Sequence, residues 1–152
     1  MIIAIASDHG GYQLKETIRK YLASRGLKVV DLGTNSEESV DYPIYGKACA
    51  EAVASGKADR GIVVCGTGIG ISMAANKIKG IRAACCSDYF SAKYTRLHND
   101  ANALCMGGRV LGAGLAIEMV DVFLNTEFEG GRHQRRVDQI TAIENGTFEV
   151  EN

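Results

Sequence analysis

A short apolar run that ends in a cysteine, followed by three alternating glycines, constrains the fold of this chain more than any other stretch. The run extends from Ile62 to Cys65, and the glycines are Gly66, Gly68 and Gly70. A β-branched apolar run is typical of a buried parallel strand, and glycines let the backbone turn sharply and approach a ligand closely. A helix that begins on such a turn points its free N–H groups at it. The stretch therefore predicts an anion-binding turn with Cys65 at its mouth.

The same succession of strand and helix recurs along the whole chain. Strands are predicted at Met1 to Ala6, Leu27 to Leu32, Gly61 to Cys65, Ile81 to Cys86 and Ala103 to Met106. Helices are predicted from Gly11 to Gly26, Asp41 to Ser55, Gly68 to Ile78, Asp88 to His98, Leu111 to Leu124 and Arg132 to Glu144. This alternation predicts one α/β domain over residues 1–152, a three-layer Rossmann-like sandwich with a five-stranded parallel sheet and helices on both faces. Ligands of such sheets bind outside the carboxyl ends of the strands.

Composition excludes several classes of partner and location. The formal net charge is −1, so we expect neither a nucleic-acid partner nor an anionic membrane partner. No apolar run approaches the roughly 20 residues of a membrane span, and the first residues resemble a strand more than a signal peptide. The five cysteines are odd in number and lack C-x-x-C spacing, which favours reduced thiols in a cytoplasmic protein over disulfides or a zinc site.

The position of Cys65 distinguishes it from the other cysteines. A cysteine is often only a small buried hydrophobe, and we predict that role for Cys49, Cys85, Cys86 and Cys105. Cys65 instead follows a strand and precedes a helix, where a thiolate is stabilised, so it is a candidate catalytic residue. The glycine turn lacks both the G-x-G-x-x-G and the G-K-[ST] pattern, so its N–H groups suit either a phosphate or an oxyanion formed during reaction.

Histidines and a spaced arginine pair suggest the kind of substrate. His9, His98 and His133 all stand beside polar residues. Arg132 and Arg136 share one helix face, which is either a solvated basic surface or a clamp for a phosphate. Together with the cysteine and the glycine turn, these residues suggest a small phosphorylated substrate and proton-transfer chemistry.

Six segments carry a resemblance that covers nearly the whole chain. They are Ser7-Asp8-His9-Gly10-Gly11, Asp41-Tyr42-Pro43, Cys65 to Lys77, Gly80-Ile81-Arg82-Ala83, His98 to Asn102, and Gly130 to Val137. In this order they resemble the type B ribose-5-phosphate isomerases, in the wider family with the galactose-6-phosphate isomerase subunits. The resemblance implies interconversion of ribose 5-phosphate and ribulose 5-phosphate through an enediolate, in the non-oxidative branch of the pentose phosphate pathway, with no metal and no cofactor.

The resemblance also implies an assembly and a set of residue roles. The enzyme would be a homodimer or a dimer of dimers with each site built from both chains, and the C-terminal helix would pack on the partner. Cys65 would move the proton between C2 and C1, and His98, aided by Asp8, would open the furanose ring. The enediolate oxygen would be held by Thr67 and the N–H groups of Gly66, Gly68 and Gly70. The phosphate would be bound by His9, Arg109, Arg132 and Arg136, with His133 nearby. The sugar would be contacted by Tyr42 and Asn99.

Rival functions differ in substrate or in turnover. A second branch of the family has a glutamate base at the position of Ile71, and the apolar residue here favours the cysteine branch. A six-carbon sugar phosphate, such as allose or galactose 6-phosphate, would use the same chemistry. A binding module without turnover would not need Cys65 and His98. A redox protein is disfavoured because no resolving cysteine stands at short spacing.

Overall fold

The computed structural model describes residues 1–150 and contains the predicted alternation of elements. The strands are β1 (Ile2–Ser7), β2 (Lys28–Asp31), β3 (Arg60–Cys65), β4 (Ala83–Cys85) and β5 (Ala103–Gly107). The α-helices are α1 (Tyr12–Ser24), α2 (Tyr42–Ala54), α3 (Ile69–Ala75), α4 (Tyr89–Asn99), α5 (Ala113–Asn125) and α6 (Arg132–Asn145), and His9–Gly11 forms a 3-10 turn. No helix within these residues is both long and apolar enough to cross a membrane.

All five strands are parallel and lie in the order β2-β1-β3-β5-β4. The chain leaves β1 for β2 on one side and then returns to place β3 on the other side. The order therefore reverses between β1 and β3, and a crevice opens outside the carboxyl ends of these two strands. Ser7 and Val64 are paired at this point, which brings the segments that follow both strands together.

Helices cover both faces of the sheet, as predicted. On one face α1, α4 and α5 enclose a core that includes Ile18, Leu104 and Phe123. On the other face α2 and α3 pack over β1 and β3, with Cys49 and Ile71 in the core. The three-layer α/β sandwich with a parallel sheet is thus confirmed.

The buried stripe of α5 is offset from the predicted one. The prediction placed Leu115, Met119 and Phe123 on one apolar face, but Leu115 is 39% exposed. Fully buried side chains recur instead at Ala116, Met119, Val120 and Phe123, which follow the i, i+3, i+4, i+7 pattern. The smaller Ala116 occupies the place predicted for Leu115, because this part of the helix lies closest to the sheet.

Two elements are shorter than predicted because side-chain amides replace backbone pairing at their ends. Helix α3 ends at Ala75, and the next residue, Asn76, uses its side chain to accept from the N–H of Ala83 at 2.8 Å and donate to its carbonyl at 2.9 Å. Strand β4 begins only at Ala83, since the N–H of Arg82 donates to the side-chain oxygen of Asn102 at 2.8 Å.

The last helix packs on its own chain through one narrow stripe. His133 and Val137 are buried, and α6 lies against α4. Its remaining apolar residues, Ile140 and Ile143, are 46% and 62% exposed. Packing of α6 on a partner subunit stays a prediction.

The offset of the α5 stripe can be tested by truncating two of its residues. We expect Met119→Ala to lower the free energy of unfolding by about 2–5 kcal/mol, because it leaves a cavity in the core. Leu115→Ala should cost at most about 1 kcal/mol, since its side chain is already partly in water. Urea denaturation at one fixed protein concentration measures both, and equal losses would contradict the offset.

Candidate active site

The turn after β3 holds the sulfur of Cys65 against a backbone N–H group. Cys65 is 4% exposed, and its Sγ accepts a hydrogen bond from the N–H of Gly68 at 3.1 Å. Gly68 has a φ of +80°, and a Cβ at this position would lie 2.7 Å from the backbone carbon of Met106. Only glycine fits there, so the turn that points this N–H at the sulfur depends on Gly68. The thiolate is the form of a cysteine that can take a proton.

The loop after β1 lies beside this turn. The N–H of Asp8 donates to the carbonyl of Val64 at 3.2 Å, and the Asp8 carboxylate accepts from the N–H of Gly11 at 3.1 Å. Nδ1 of His9 lies 3.1 Å from the backbone nitrogen and 3.2 Å from the carbonyl oxygen of Val40, so it accepts from the N–H in one tautomer and donates to the carbonyl in the other.

Two further predicted residues flank the glycine turn. The guanidinium of Arg109 lies against Gly66, where a Cβ would be 3.2 Å from Nη1, and the N–H of Arg109 donates to the carbonyl of Gly66 at 3.0 Å. The ring of Tyr42 covers Gly70, where a Cβ would be 2.6 Å from the ring. Together these residues form the turn group, defined as Asp8, His9, Tyr42, Cys65, Gly66, Thr67, Gly68, Gly70 and Arg109.

The remaining predicted residues gather at the end of α4 and the start of α6. The rings of His98 and His133 are stacked, with centroids 4.1 Å apart and planes 11° from parallel. Arg132 and Arg136 are exposed on the same helix as His133. We call this set the helix group, defined as His98, Asn99, Arg132, His133 and Arg136.

The two groups lie at opposite edges of the sheet. Cys65 is paired with Gly107 at the carboxyl edge, whereas α4 runs back to the amino edge, where Gly61 is paired with Ala103. From Gly61 to Cys65 the strand advances by four residues, which is about 13 Å. Asp8 bonds within its own turn, and the hydrogen bonds of residues 1–150 join no member of one group to a member of the other.

Each group has its own cleft in the surface. A cleft of about 240 Å³ lies at the turn and is lined in part by Thr67 and Cys85. A second cleft, of about 390 Å³, follows α4 and includes His98 and Asn99. Cys85 and Cys86 line both clefts, but within the described residues neither cleft is lined by members of both groups.

Burial determines which of the neighbouring ionisable groups can carry charge. Burial lowers the pKa of His133, and the nearby positive charges of His98 and Arg132 lower it further. Burial raises the pKa of Cys49 to about 12 and that of Cys86 to about 11, and it raises the pKa of Cys105 as well. These three cysteines are core residues, as predicted.

Comparison with known proteins decides the family. A sequence model of the family described as Ribose/Galactose Isomerase matches residues 3–140. The chain belongs to this family. In this chain Ile71 lies beside the turn and is buried and apolar, so there is no carboxylate base at that position.

Three members of the ribose/galactose isomerase family illustrate how closely the chain follows it. It is 54% identical to ribose-5-phosphate isomerase B of Escherichia coli over 93% of this chain and 95% of that protein. A solved ribose-5-phosphate isomerase B of Clostridium thermocellum has a TM-score of 0.95 and 56% identity, over 96% of this chain and 99% of that one. The isomerase of Mycoplasma genitalium, solved with bound ribulose-5-phosphate, has a TM-score of 0.90 and 44% identity, over 95% and 96% of the two chains.

Two residues that lie beside the predicted site residues were not predicted from the sequence. Cys85 was predicted to be core, but that prediction is wrong: it is exposed, because it ends the short β4 beside the turn. Glu129 was passed over as part of a break between helices, yet its carboxylate lies 3.8 Å from Nε2 of both His98 and His133. Its spacing of four residues from His133 was the available signal.

The thiols should separate by reactivity in the folded protein. We expect iodoacetamide at pH 8 to modify Cys85, which is exposed although burial also raises its pKa, and Cys65, whose sulfur lies at the turn. Cys49, Cys86 and Cys105 should stay unmodified, because burial keeps them almost wholly protonated and the thiolate is the reactive form. Peptide mass spectrometry after brief labelling gives the result, and early labelling of Cys49 would contradict the burial described here.

Proposed function

We propose that this chain is an aldose–ketose isomerase that interconverts ribose 5-phosphate and ribulose 5-phosphate. Membership of the ribose/galactose isomerase family supports the reaction class. The related isomerase solved with ribulose-5-phosphate supports the substrate. The observation that carries the proposal is the cysteine turn, because it places a thiol and a backbone N–H at the carboxyl edge of the sheet, where ligands of this architecture bind.

In the proposed reaction, Cys65 shuttles one proton between two carbons. The thiolate takes the proton from C2 of the open-chain aldose, and the electron pair of that C–H bond forms the C1–C2 double bond of an enediolate. The negative charge develops on the oxygen at C1, where N–H groups of the turn and the hydroxyl of Thr67 can donate to it. A proton passes from the oxygen at C2 to the oxygen at C1, and the thiol returns its proton to C1, which leaves the ketose. The same base serves both directions.

The proposed binding contacts come from both groups. His9 and Arg109 of the turn group and Arg132 and Arg136 of the helix group would hold the phosphate, because guanidinium groups match the geometry of phosphate oxygens. Tyr42 and Asn99 would contact the sugar, with His133 near the phosphate. His98 would open the furanose ring by donating a proton to the ring oxygen.

We further propose that the active unit is a homodimer, or a dimer of dimers, with sites shared between chains. The turn group of one chain and the helix group of another would form each site, since the two groups are separated along the sheet within one chain. Exposed apolar side chains near the turn group, Ile69 and Met73, are 51% and 62% exposed and would gain cover from a partner.

An isomerase assay tests the substrate directly. Purified protein is given ribose 5-phosphate or allose 6-phosphate in parallel, and ketose formation is followed. Conversion of the five-carbon sugar with the higher kcat/KM supports the proposal. A clear preference for the six-carbon sugar would keep the chemistry and change the substrate, and turnover of neither would overturn the proposed function.

Removing the base tests the mechanism. Cys65→Ala should lower kcat by at least about 100-fold with little change in substrate binding, because general-base catalysis contributes about 10²–10⁴-fold. Cys49→Ala is the matched control: it makes the same substitution in the core, where the Cys49 sulfur lies near Gly61 and the carbonyl of Ile62, toward the opposite end of β3 from Cys65. Near-normal turnover by Cys65→Ala would refute the assigned role.

Mixing two inactive variants tests the shared site. Cys65→Ala and His98→Ala proteins, unfolded and refolded together in equal amounts, should recover about a quarter of wild-type activity. Half of the dimers then contain one chain of each variant, and each of these dimers has one intact site out of two. If Cys65 and His98 of the same chain formed a site, every site in such a dimer would lack either the thiol or the imidazole, so no activity would return.

A further inference from the structure

One carboxylate lies beside the histidine pair and has no role in the reaction described so far. Oε2 of Glu129 lies 3.8 Å from Nε2 of His98 and 3.8 Å from Nε2 of His133. The N–H of Glu129 donates to the carbonyl of Leu97 at 3.1 Å, which fixes this residue next to His98 on α4. Its side chain is 58% exposed, so a shift of about 1 Å can bring the carboxylate into hydrogen-bond range of either imidazole.

The ring of His98 is constrained on several sides. His133 stacks on one face of the ring, and Tyr94 packs against it edge-on, with centroids 4.9 Å apart and planes at 71°. Glu129 stands at the Nε2 edge. A side chain held in this way loses little freedom on reaction, which is what a residue that transfers a proton to a fixed atom requires.

Stacking of the two rings favours proton handling over metal binding. The lone pair of an imidazole nitrogen lies in the ring plane, and the ring planes of His98 and His133 are only 11° from parallel, so their lone pairs do not converge. A tetrahedral zinc site needs ligands that converge, with neighbouring donor atoms about 3.4 Å apart. Oε2 of Glu129 lies 3.8 Å from each Nε2, which is wider than that spacing.

Only one of the two imidazoles can readily be charged. Two stacked imidazolium ions would repel each other, and His133 is the buried member, with Nε2 lacking any hydrogen-bond partner within residues 1–150. Burial lowers the pKa of His133. Arg132 and Arg136 of α6 also disfavour a second positive charge, whereas Glu129 is the acid that favours one. His98 is the more exposed member of the pair, so it is the ring that can reach a substrate.

We propose that Glu129 is a positioning residue for ring opening: its carboxylate, at the Nε2 edge and with His133 stacked beneath, orients the imidazole of His98 toward the furanose ring oxygen. This inference rests on the proposed function. His98 donates its proton to the ring oxygen as the bond from that oxygen to C1 breaks, and solvent water takes the proton of the C1 hydroxyl as the aldehyde forms. Glu129 exchanges no proton in this step and does not touch the sugar.

The test compares Glu129→Gln with Glu127→Gln, which makes the same change at an exposed acid two residues away. Two reactions are measured for each. The first is turnover of ribose 5-phosphate, which begins from a closed ring. The second is exchange of the C1 hydrogen of ribulose 5-phosphate with D₂O, followed by NMR, which requires the enediolate but no ring opening. His98→Gln provides the pattern expected when ring opening alone is lost.

We expect Glu129→Gln to lower kcat for ribose 5-phosphate by at least about 10-fold and to leave C1 exchange within about 3-fold of wild type. Glu127→Gln should match wild type in both reactions. Equal loss of turnover and exchange in Glu129→Gln, or turnover of ribose 5-phosphate equal to that of wild type, would overturn the inference. Failure of the proposed function itself would be distinct, since the wild-type protein would then convert no ribose 5-phosphate.

Discussion

The parallel pairing of β1 with β3 is the constraint on which the rest of the site depends. It joins residues far apart in the sequence, with Ile5 beside Ile62 and Ser7 beside Val64, and it reverses the strand order at that point. Both strands are fully buried over these residues, so the pairing is fixed by the core and not by the loops. The pairing therefore fixes the loops that follow the two strands next to each other. The N–H of Asp8 donates to the carbonyl of Val64, and Cys65 lies next to the loop that contains His9. The chemistry of the turn group is thus a consequence of strand packing.

Local sequence patterns predicted the fold class well because each strand and helix has a recognisable pattern within a few residues. Apolar runs, capping residues and glycines located all five strands and all six α-helices. Strand order was out of reach, since it depends on pairing between distant segments. The lengths of α3 and β4 were also beyond the sequence, because the amides of Asn76 and Asn102 end these elements through contacts with residues several positions away in the chain. The face of α5 was missed by one position, since a small alanine and a leucine are both compatible with a periodic apolar stripe.

In the candidate site, too, residues within local motifs were predictable from the sequence and residues placed by distant packing were not. The cysteine, the glycines and the nearby histidine belong to contiguous motifs, and position along a strand was enough to suggest their chemistry. The helix group was assigned to the site through the family resemblance, because the spacing of Arg132 and Arg136 alone is also compatible with a solvated basic surface. Glu129 was not predicted because an acid before two glycines is typical of a loop, and only the packing of α6 on α4 places it beside the two stacked imidazoles. Cys85 escaped because a cysteine in a strand is usually buried.

The separation of the two residue groups has a consequence for how such a protein can diversify. If each catalytic centre takes a cysteine turn from one chain and a histidine–arginine cluster from another, each chain contributes independent halves to two centres. After gene duplication, one copy can lose its thiol and the other its histidine, and the pair still retains one complete centre per dimer. Two non-identical subunits then become mutually dependent through simple loss, without any new function having to arise. A fold that distributes its chemistry across opposite edges of one sheet is in this sense predisposed to obligate heteromers.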